Sequence, residues 1–197
     1  MRLVLKEARM ERWVLLRKGA EFERIARKFN ISPRLACLIR NRDVAGDEAI
    51  EGYLNGKLSG LSDGKLMKDM EKAVAILRQK IKEHKKIRVI GDYDIDGVNA
   101  VYILLEGLKA LGADADSDIP DRIKDGYGLN AALVERAFRD GADTIITCDN
   151  GIAAKDEIAY GKSLGMTVIV TDHHEVPFEE TKDGKRYILP PADAVVD

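Results

Sequence analysis

Cysteine, proline and tryptophan are scarce in this sequence, and their scarcity excludes several classes of protein. The 197 residues include two cysteines, five prolines and one tryptophan. Cys37 and Cys148 lie far apart and no C-x-x-C pair occurs, so we expect neither a disulfide framework nor a zinc site built on cysteines. This cysteine usage is typical of a reducing compartment, and a cytoplasmic location is predicted.

Long apolar runs are also missing. No stretch approaches the roughly 18 apolar residues that would predict a membrane span, so no membrane partner is expected. The opening segment MRLVLKEARMERW carries charges where a secretion signal needs apolar residues, and we expect no such signal. With 45% hydrophobic residues, the chain can instead fold as one ordinary domain or two small ones.

The net charge of −2 conceals a difference between the two halves of the chain. Residues 1–90 contain 22 Lys and Arg against 12 Asp and Glu, whereas residues 91–197 contain 10 against 22. A basic first half could attract polyanions and an acidic second half could hold cations. Solvated helix faces would give the same pattern, so the charge by itself leaves both interpretations open.

The spacing of apolar residues divides the chain near residue 85. Residues 1–85 are predicted to be a helical section, in which Ser32 caps a helix that begins at Pro33. In residues 86–197, short apolar strands alternate with helices, which predicts an α/β fold with a parallel sheet flanked by helices. The apparent strand AVV ends one residue before Asp197, and we therefore expect the chain to be a fragment of a longer protein.

Residues 23–42 have the look of a helix-turn-helix, a fold that reads DNA bases. The second helix of this pair begins with Pro33 and is largely apolar, which leaves few side chains to contact base edges. A packed helical pair is therefore favoured over a base-reading element.

Acidic and imidazole side chains follow three of the predicted strands. They are Asp92, Asp94 and Asp96 after IRVI, Asp149 after TIITC, and Asp172, His173 and His174 after TVIVT. Because the carboxyl ends of parallel strands meet at one edge of a sheet, we expect these side chains to converge. Clustered carboxylates repel one another unless a cation holds them, and oxygen ligands with one or two imidazoles suit Mn²⁺ or Mg²⁺.

Each of these segments has a simpler explanation when it is taken alone. DYDIDG resembles the start of a calcium loop, but Ile103 occupies the position that needs glutamate. Asp149 could cap a helix, and the Asp-His-His triplet could form a turn. The joint occurrence at three successive strand ends is what favours a metal site.

Glycines and a basic loop accompany the acidic residues. The glycines that flank them, where the backbone must turn tightly or approach a phosphate, are Gly91, Gly97 and Gly151. Residues 119–130, IPDRIKDGYGLN, place Arg122 in a loop before a helix. Arg122 could bind a phosphate oxygen, or it could pair with Asp121 or Asp125 in a surface turn, and the residues leave both open.

The segments GDYDIDGVNA, TCDNGI and TDHHEVP resemble the first three motifs of the DHH phosphoesterase family. Within that family, the helical lead-in with IARKFNIS and LMKDMEKAVAIL is similar to the RecJ-like single-strand-specific DNA exonucleases, and the resemblance covers essentially the whole chain. It implies a phosphodiesterase with two Mn²⁺ or Mg²⁺ ions that removes nucleotides from the 5′ end of single-stranded DNA. It further implies a role in DNA repair and recombination, with a single-strand-binding protein or a helicase as candidate partner.

The resemblance also implies a role for individual residues. The implied metal ligands are Asp94, Asp96, Asp149 (bridging the ions) and His173, with Asp92 as an additional candidate. The implied catalytic residues are Asp172, which supports His173, and His174, which contacts the phosphate. The implied substrate-binding residues are Arg122, Gly97, Asn150 and Gly151.

The sequence departs from the family pattern in two respects. Ile90 stands where many relatives have a histidine, and isoleucine cannot bind a metal. The family's fourth motif and its second domain lie downstream of Asp197, so we expect weak metal binding and little nuclease activity from this chain alone. Two other functions stay open: a phosphoesterase for short oligonucleotides or cyclic dinucleotides, and a non-catalytic scaffold.

Overall fold

The computed structural model describes residues 18–197, which fall into two compact units that divide between Ser62 and Asp63. The expectation about a secretion signal concerns residues outside this described part. The division lies earlier in the chain than the boundary near residue 85 that the sequence predicts. The reason is helix α4 (Met70–Lys82), whose apolar side chains pack in the core of the second unit.

The first unit is described from residue 18 to residue 62 and is helical, as predicted. Its helices are α1 (Phe22–Phe29), α2 (Pro33–Asn41) and α3 (Asp47–Leu54), followed by a short 3₁₀ turn at Leu58–Gly60. The predicted cap is present, since the Ser32 side chain accepts a hydrogen bond from the backbone N–H of Leu35 at 3.1 Å.

The three helices of this unit enclose a small apolar core. Its buried members are Ile25, Ala36, Ile39 and Ile50. Arg24 and Lys28 of α1 both pair with Asp47 at the start of α3, which adds a charged contact at the rim. The apolar side of α2 is thus used for packing, as the interpretation of a packed helical pair requires.

The second unit is built on a parallel sheet of five strands in the order β2-β1-β3-β4-β7. These strands are β1 (Ile87–Ile90), β2 (Ala115–Asp118), β3 (Thr144–Cys148), β4 (Thr167–Thr171) and β7 (Ala194–Val196). The helices that follow α4 are α5 (Ile95–Ala110), α6 (Ala131–Arg139) and α7 (Lys155–Ser163). The predicted α/β class, with a parallel sheet flanked by helices, is confirmed.

Helices cover both faces of this sheet. Helices α4 and α5 pack on one face and α6 and α7 on the other. Ile145 and Ile146, neighbours on β3, are both buried and point into the two different cores. Burial on both faces explains why the strands are continuous apolar runs instead of alternating patterns.

A two-stranded antiparallel hairpin, which the sequence analysis missed, follows β4. It consists of β5 (Phe178–Thr181) and β6 (Gly184–Tyr187). Both strands are mostly charged and exposed, so they lack the apolar signature of the other strands. A signal was nevertheless present, because Asp-Gly pairs favour hairpin turns and Gly184 has a φ of +118°.

The strand register brings the functional segments to one edge of the sheet. Ile90 of β1 is aligned with Thr147 of β3, and Cys148 of β3 is aligned with Thr171 of β4. The segments that follow these three strands therefore begin side by side at the carboxyl edge. Among residues 18–197, no helix is long and apolar enough to cross a membrane.

Candidate metal centre

Three side chains from the ends of β3 and β4 converge at the carboxyl edge. One ligand atom from each of Asp149, His173 and His174 lies within 4.8 Å of the other two. Nε2 of His173 is 2.8 Å from Oδ1 of Asp149. A carboxylate oxygen together with imidazole nitrogens is a donor set that Mn²⁺ accepts, so these residues fit a divalent ion.

Asp149 occupies a strained position. Its backbone has a φ of +60°, a left-handed conformation that aspartate tolerates better than most residues. Burial raises the pKa of the Asp149 carboxyl above its ordinary value, although the hydrogen bond with His173 opposes this effect. A cation beside the carboxylate would favour its charged form, as expected for a metal ligand.

Asp172 orients the two histidines that follow it. Oδ2 accepts a hydrogen bond from the backbone N–H of Ile152 at 2.9 Å, and Oδ1 accepts one from the backbone N–H of His173 at 2.8 Å. Nδ1 of His174 is also bonded to Oδ1, at 2.7 Å. The resemblance implies that Asp172 supports His173, whereas in the structure its side-chain partner is the imidazole of His174.

These contacts change the pKa values of both partners. Burial alone would raise the pKa of Asp172, but the hydrogen bonds from Ile152, His174 and His173 outweigh it and leave the pKa below its ordinary value. The hydrogen bond to Asp172 raises the pKa of His174, and the surrounding acids add to this effect. Asp172 is therefore held as a carboxylate that fixes the His174 ring.

Asp94 and Asp96 lie at the start of α5, beside the cluster. Asp94 is the N-cap of this helix, and its Oδ1 accepts hydrogen bonds from the backbone N–H groups of Asp96 and Gly97, each at 3.0 Å. The bond from Gly97 is the main cause that lowers the pKa of Asp94, and the Asp149 side chain contributes as well. Asp96 is exposed and lines one groove together with Asp149 and His173.

Asp92 and Ile90 are buried beneath this surface. Oδ1 of Asp92 accepts a hydrogen bond from the backbone N–H of Gly128 at 3.2 Å. Oδ2 has no hydrogen-bond partner within residues 18–197. Ile90 is fully buried in the core under α6 and α7. Asp92 thus anchors the loop that carries Gly128 and lies outside the cluster of Asp149 and the histidines.

Two of the implied substrate-binding residues, Gly97 and Asn150, have structural roles in the fold. Gly97 is buried, its N–H is bonded to Asp94, and a Cβ there would lie 2.4 Å from the carbonyl oxygen of Asp92. Asn150 is buried and donates from Nδ2 to the carbonyl oxygens of Ile90 and Cys148, which ties β1 to β3. Asn150 also lines the cavity beside His174, and substrate contact by Gly97 and Asn150 stays a prediction.

The backbone conformation and close packing at position 151 require a glycine. Its φ is +111°, and a Cβ at this position would lie 2.5 Å from Oγ1 of Thr147. Both observations restrict this position to glycine. Gly151 does line a cavity of about 490 Å³ that opens beside His174, so its backbone remains next to open space.

Arg122 is free of the carboxylates that flank it in sequence. Within residues 18–197, no carboxylate oxygen lies within 4 Å of its guanidinium nitrogens, and Asp121 and Asp125 instead bond backbone N–H groups of their own loop. The guanidinium lies over the ring of Tyr93, 5.3 Å from its centroid. The surface-turn pairing considered from the sequence is therefore absent, and the charge of Arg122 is available to a ligand.

Tyr127 is the site residue that sequence reasoning missed. Its hydroxyl oxygen lies 3.1 Å from Nε2 of His174, and its ring packs edge-on against Tyr93 and His174. Burial, followed by the charges of four surrounding aspartates, raises the pKa of Tyr127 to about 12. The sequence signal was the pair of glycines on either side of it, Gly126 and Gly128, because glycines in a loop mark positions where the backbone can turn tightly. In the structure, both glycines have positive φ.

Cys148 lies next to Asp149 without joining the cluster. Its thiol is buried, and burial raises its pKa to about 12. The thiolate, which is the form that binds metals, is therefore disfavoured at neutral pH.

The chain resembles known proteins over most of its length. The model of the DHH family, N-terminal domain, matches residues 86–196. A curated relative, the single-stranded-DNA-specific exonuclease RecJ of Bacillus subtilis (strain 168), is 38% identical over 184 residues, which are 91% of this chain and 23% of the relative.

Two solved structures have similar folds. A crystal structure of exonuclease RecJ bound to manganese matches with a TM-score of 0.59 at 35% identity, over 69% of this chain and 32% of that one. The crystal structure of RecJ in complex with Mn²⁺ from Thermus thermophilus also gives a TM-score of 0.59, at 29% identity, over 93% of this chain and 24% of that one. This chain thus spans less than a third of each of these relatives.

Proposed function

This chain belongs to the DHH family, and from that premise we propose that it carries the metal-binding part of a RecJ-like, single-strand-specific DNA exonuclease. The observation that carries the proposal is the contact between His173 and Asp149, at 2.8 Å, on the open edge of the sheet. It joins two of the three family segments in one potential ligand cluster. Support also comes from the relatives, since two RecJ structures of similar fold hold manganese.

Asp149 and His173 would hold a divalent ion, Mn²⁺ or Mg²⁺, with Asp94 and Asp96 as further ligands from the end of β1. Divalent ions supply Lewis-acid stabilisation for the negative charge that develops when a phosphodiester is hydrolysed. Asp92 is assigned a supporting role in this proposal, because it is buried and bonded to Gly128.

The remaining site residues would act on the substrate. His174, oriented by Asp172, would donate a hydrogen bond to a phosphate oxygen, which is favoured because its pKa is raised. Arg122 would bind a second phosphate oxygen through its planar guanidinium, which matches phosphate geometry better than an ammonium group does. Gly151 would allow the nucleotide to approach the backbone closely.

The substrate and the setting are inferred from family membership. We assign single-stranded DNA as the substrate, 5′ to 3′ as the polarity, and DNA repair and recombination in the cytoplasm as the role. A single-strand-binding protein or a helicase is the class of protein partner that fits this role. The basic part of the chain before residue 91 would assist by attracting the DNA backbone.

The proposal is tested by Mn²⁺ titration and by degradation of single-stranded DNA labelled at either end. Both are measured on this chain and on a longer natural form, with duplex DNA as the control substrate. We expect the longer form to bind Mn²⁺ and to shorten single strands from the 5′ end, while this chain binds Mn²⁺ more weakly and degrades little.

Two results would replace the proposal. Hydrolysis of short oligonucleotides or cyclic dinucleotides, without action on long single strands, would assign the chain to a small-substrate phosphoesterase. Failure of the longer form to bind any divalent metal would assign it to a non-catalytic scaffold, a function that the isoleucine at position 90 would explain.

A further inference from the structure

We propose that Tyr127 is a positioning residue, whose hydroxyl holds the imidazole of His174 in the orientation that contacts the substrate. The inference rests on the proposed function, because it concerns how His174 acts on a phosphodiester. It explains how two adjacent histidines in one cluster can serve different purposes.

The two histidines differ in the partners of their ring nitrogens. Nε2 of His173 faces Oδ1 of Asp149 at 2.8 Å. The hydroxyl oxygen of Tyr127 lies 3.1 Å from Nε2 of His174 and 3.5 Å from its Nδ1, so it lies against the ring and off the axis of an Nε2 N–H bond; Nδ1 is also 2.7 Å from Oδ1 of Asp172. Asp172 holds Nδ1 and the Tyr127 hydroxyl restricts the ring from a second side, so the imidazole keeps one orientation and its Nε2 remains open to a phosphate oxygen.

Tyr127 is itself held in place by its neighbours. The flanking residues Gly126 and Gly128 have φ values of +77° and +69°, which turn the loop so that the tyrosine projects toward His174. The N–H of Gly128 is bonded to the buried Asp92. The Tyr127 ring packs edge-on against Tyr93, with centroids 6.4 Å apart. Because these contacts hold Tyr127 in place, its hydroxyl can restrict the orientation of the His174 imidazole, as a preorganised site requires.

The chemistry of the hydroxyl suits this role in either state of His174. A phenol can turn its hydrogen toward a neutral imidazole or, beside a charged one, turn it away and present its oxygen. In the second case its hydrogen can be donated to the carbonyl oxygen of Asp149, 3.4 Å away. The hydroxyl can therefore connect the His174 ring to the backbone carbonyl of Asp149 whether the imidazole is neutral or charged.

Removal of the hydroxyl should change turnover more than binding. Tyr127→Phe keeps the ring contact with Tyr93 but removes the hydroxyl that lies against the His174 imidazole. The imidazole would then sample other orientations, and fewer substrate encounters would find it correctly placed. Metal binding should be unaffected, because Asp149 and His173 keep their contact.

The first test is independent of activity. The ring nitrogens of the three histidines are observed by ¹⁵N NMR in the metal-free chain at fixed pH, for wild type and Tyr127→Phe. We expect the Nε2 signal of His174 to shift and broaden in Tyr127→Phe, while His84, which is exposed, serves as the internal reference. The matched control is Tyr102→Phe, which removes the hydroxyl of an exposed tyrosine on α5. Unchanged His174 signals in Tyr127→Phe would overturn the proposal.

The second test uses the longer natural form and its single-stranded substrate. We expect Tyr127→Phe to lower kcat about tenfold, as the loss of one well-placed hydrogen bond would, with KM within about twofold and Mn²⁺ binding unchanged. An unchanged kcat, or a loss of Mn²⁺ binding, would contradict a positioning role. If the wild-type form does not degrade single strands, the proposed function fails, and the NMR result still decides whether Tyr127 holds His174.

Discussion

His173 and Asp149 follow neighbouring strands, and their side chains meet with Nε2 and Oδ1 2.8 Å apart. The two residues are 24 positions apart in the sequence, so the parallel pairing of β3 with β4 creates the contact. It brings one imidazole nitrogen and one carboxylate oxygen to the open edge of the sheet, where a cation can reach both.

The first prediction concerns Asp149→Asn. We expect this variant to lower the affinity for Mn²⁺ at least about tenfold, because an amide replaces the charged ligand. Asparagine also tolerates the left-handed backbone at this position, so the fold should be retained. Calorimetric titration measures the affinity. Asp156→Asn, which removes an exposed acid from α7, should bind Mn²⁺ like wild type. Equal affinities for wild type and Asp149→Asn would contradict the assignment.

The second prediction concerns Arg122→Ala. Removal of this guanidinium should weaken binding of single-stranded DNA by about tenfold and leave Mn²⁺ binding intact. Fluorescence anisotropy of a labelled oligonucleotide in the longer natural form measures the effect, and its salt dependence should become shallower. Arg139→Ala, an exposed arginine of α6, is the matched control. An equal loss of DNA binding in Arg139→Ala would show that the net charge, and not a specific contact of Arg122, determines the affinity.

The third prediction concerns the buried Arg88 of β1. Its guanidinium pairs with Asp116 and, at 2.9 Å, with Asp140, and these contacts raise its pKa. Arg88→Ala should lower the free energy of unfolding by about 3 kcal/mol, because the carboxylates lose their partner and a cavity remains. Urea unfolding measures this loss. Arg139→Ala should change it by no more than about 0.5 kcal/mol.

The fourth prediction concerns acid stability. Burial by itself would raise the pKa of Asp143, but its ion pair with Lys80, at 2.5 Å, contributes to a pKa below the ordinary value of 3.8. The unfolded chain therefore binds this proton more readily than the folded chain. The stabilisation is present above pH 3.8 and is lost as the pH falls further.

Urea unfolding at several pH values measures how the free energy of unfolding changes as the pH falls. Asp143→Asn should show a shallower loss of unfolding free energy below pH 3.8 than wild type does. Lys80→Met should flatten the same part of the curve, because it removes the partner that lowers the pKa. Identical slopes in all three proteins would exclude this ion pair as a source of acid sensitivity.

The fifth prediction compares two glycines. Gly151→Ala should lower the free energy of unfolding by roughly 1–3 kcal/mol, because of its φ of +111° and the close approach of Thr147. Gly107→Ala should raise it by roughly 0.5–1 kcal/mol, since this glycine lies inside α5 and, within residues 18–197, has open space where the added methyl group would lie. Thermal and urea unfolding of both variants measure the difference, and a stabilised Gly151→Ala would contradict the argument.

The sequence by itself determined the fold class and the edge at which the site lies. Apolar runs such as IRVI and TIITC, alternating with amphipathic helices, are compatible with few arrangements other than a parallel sheet covered on both faces. The placement of Asp94, Asp149 and His173 follows from this fold, because parallel strands end at a common edge. A local signal also sufficed for the cap at Ser32, because a cap depends only on neighbouring residues.

Only the tertiary structure decided which of these residues touch. It joined α4 to the second unit, gave Gly97 and Asn150 packing roles, and placed Arg122 over Tyr93. It also separated the partners of His173 and His174 and brought Tyr127 to the site. None of this is encoded in local patterns, because the direction of a side chain depends on packing between segments that are distant in the sequence.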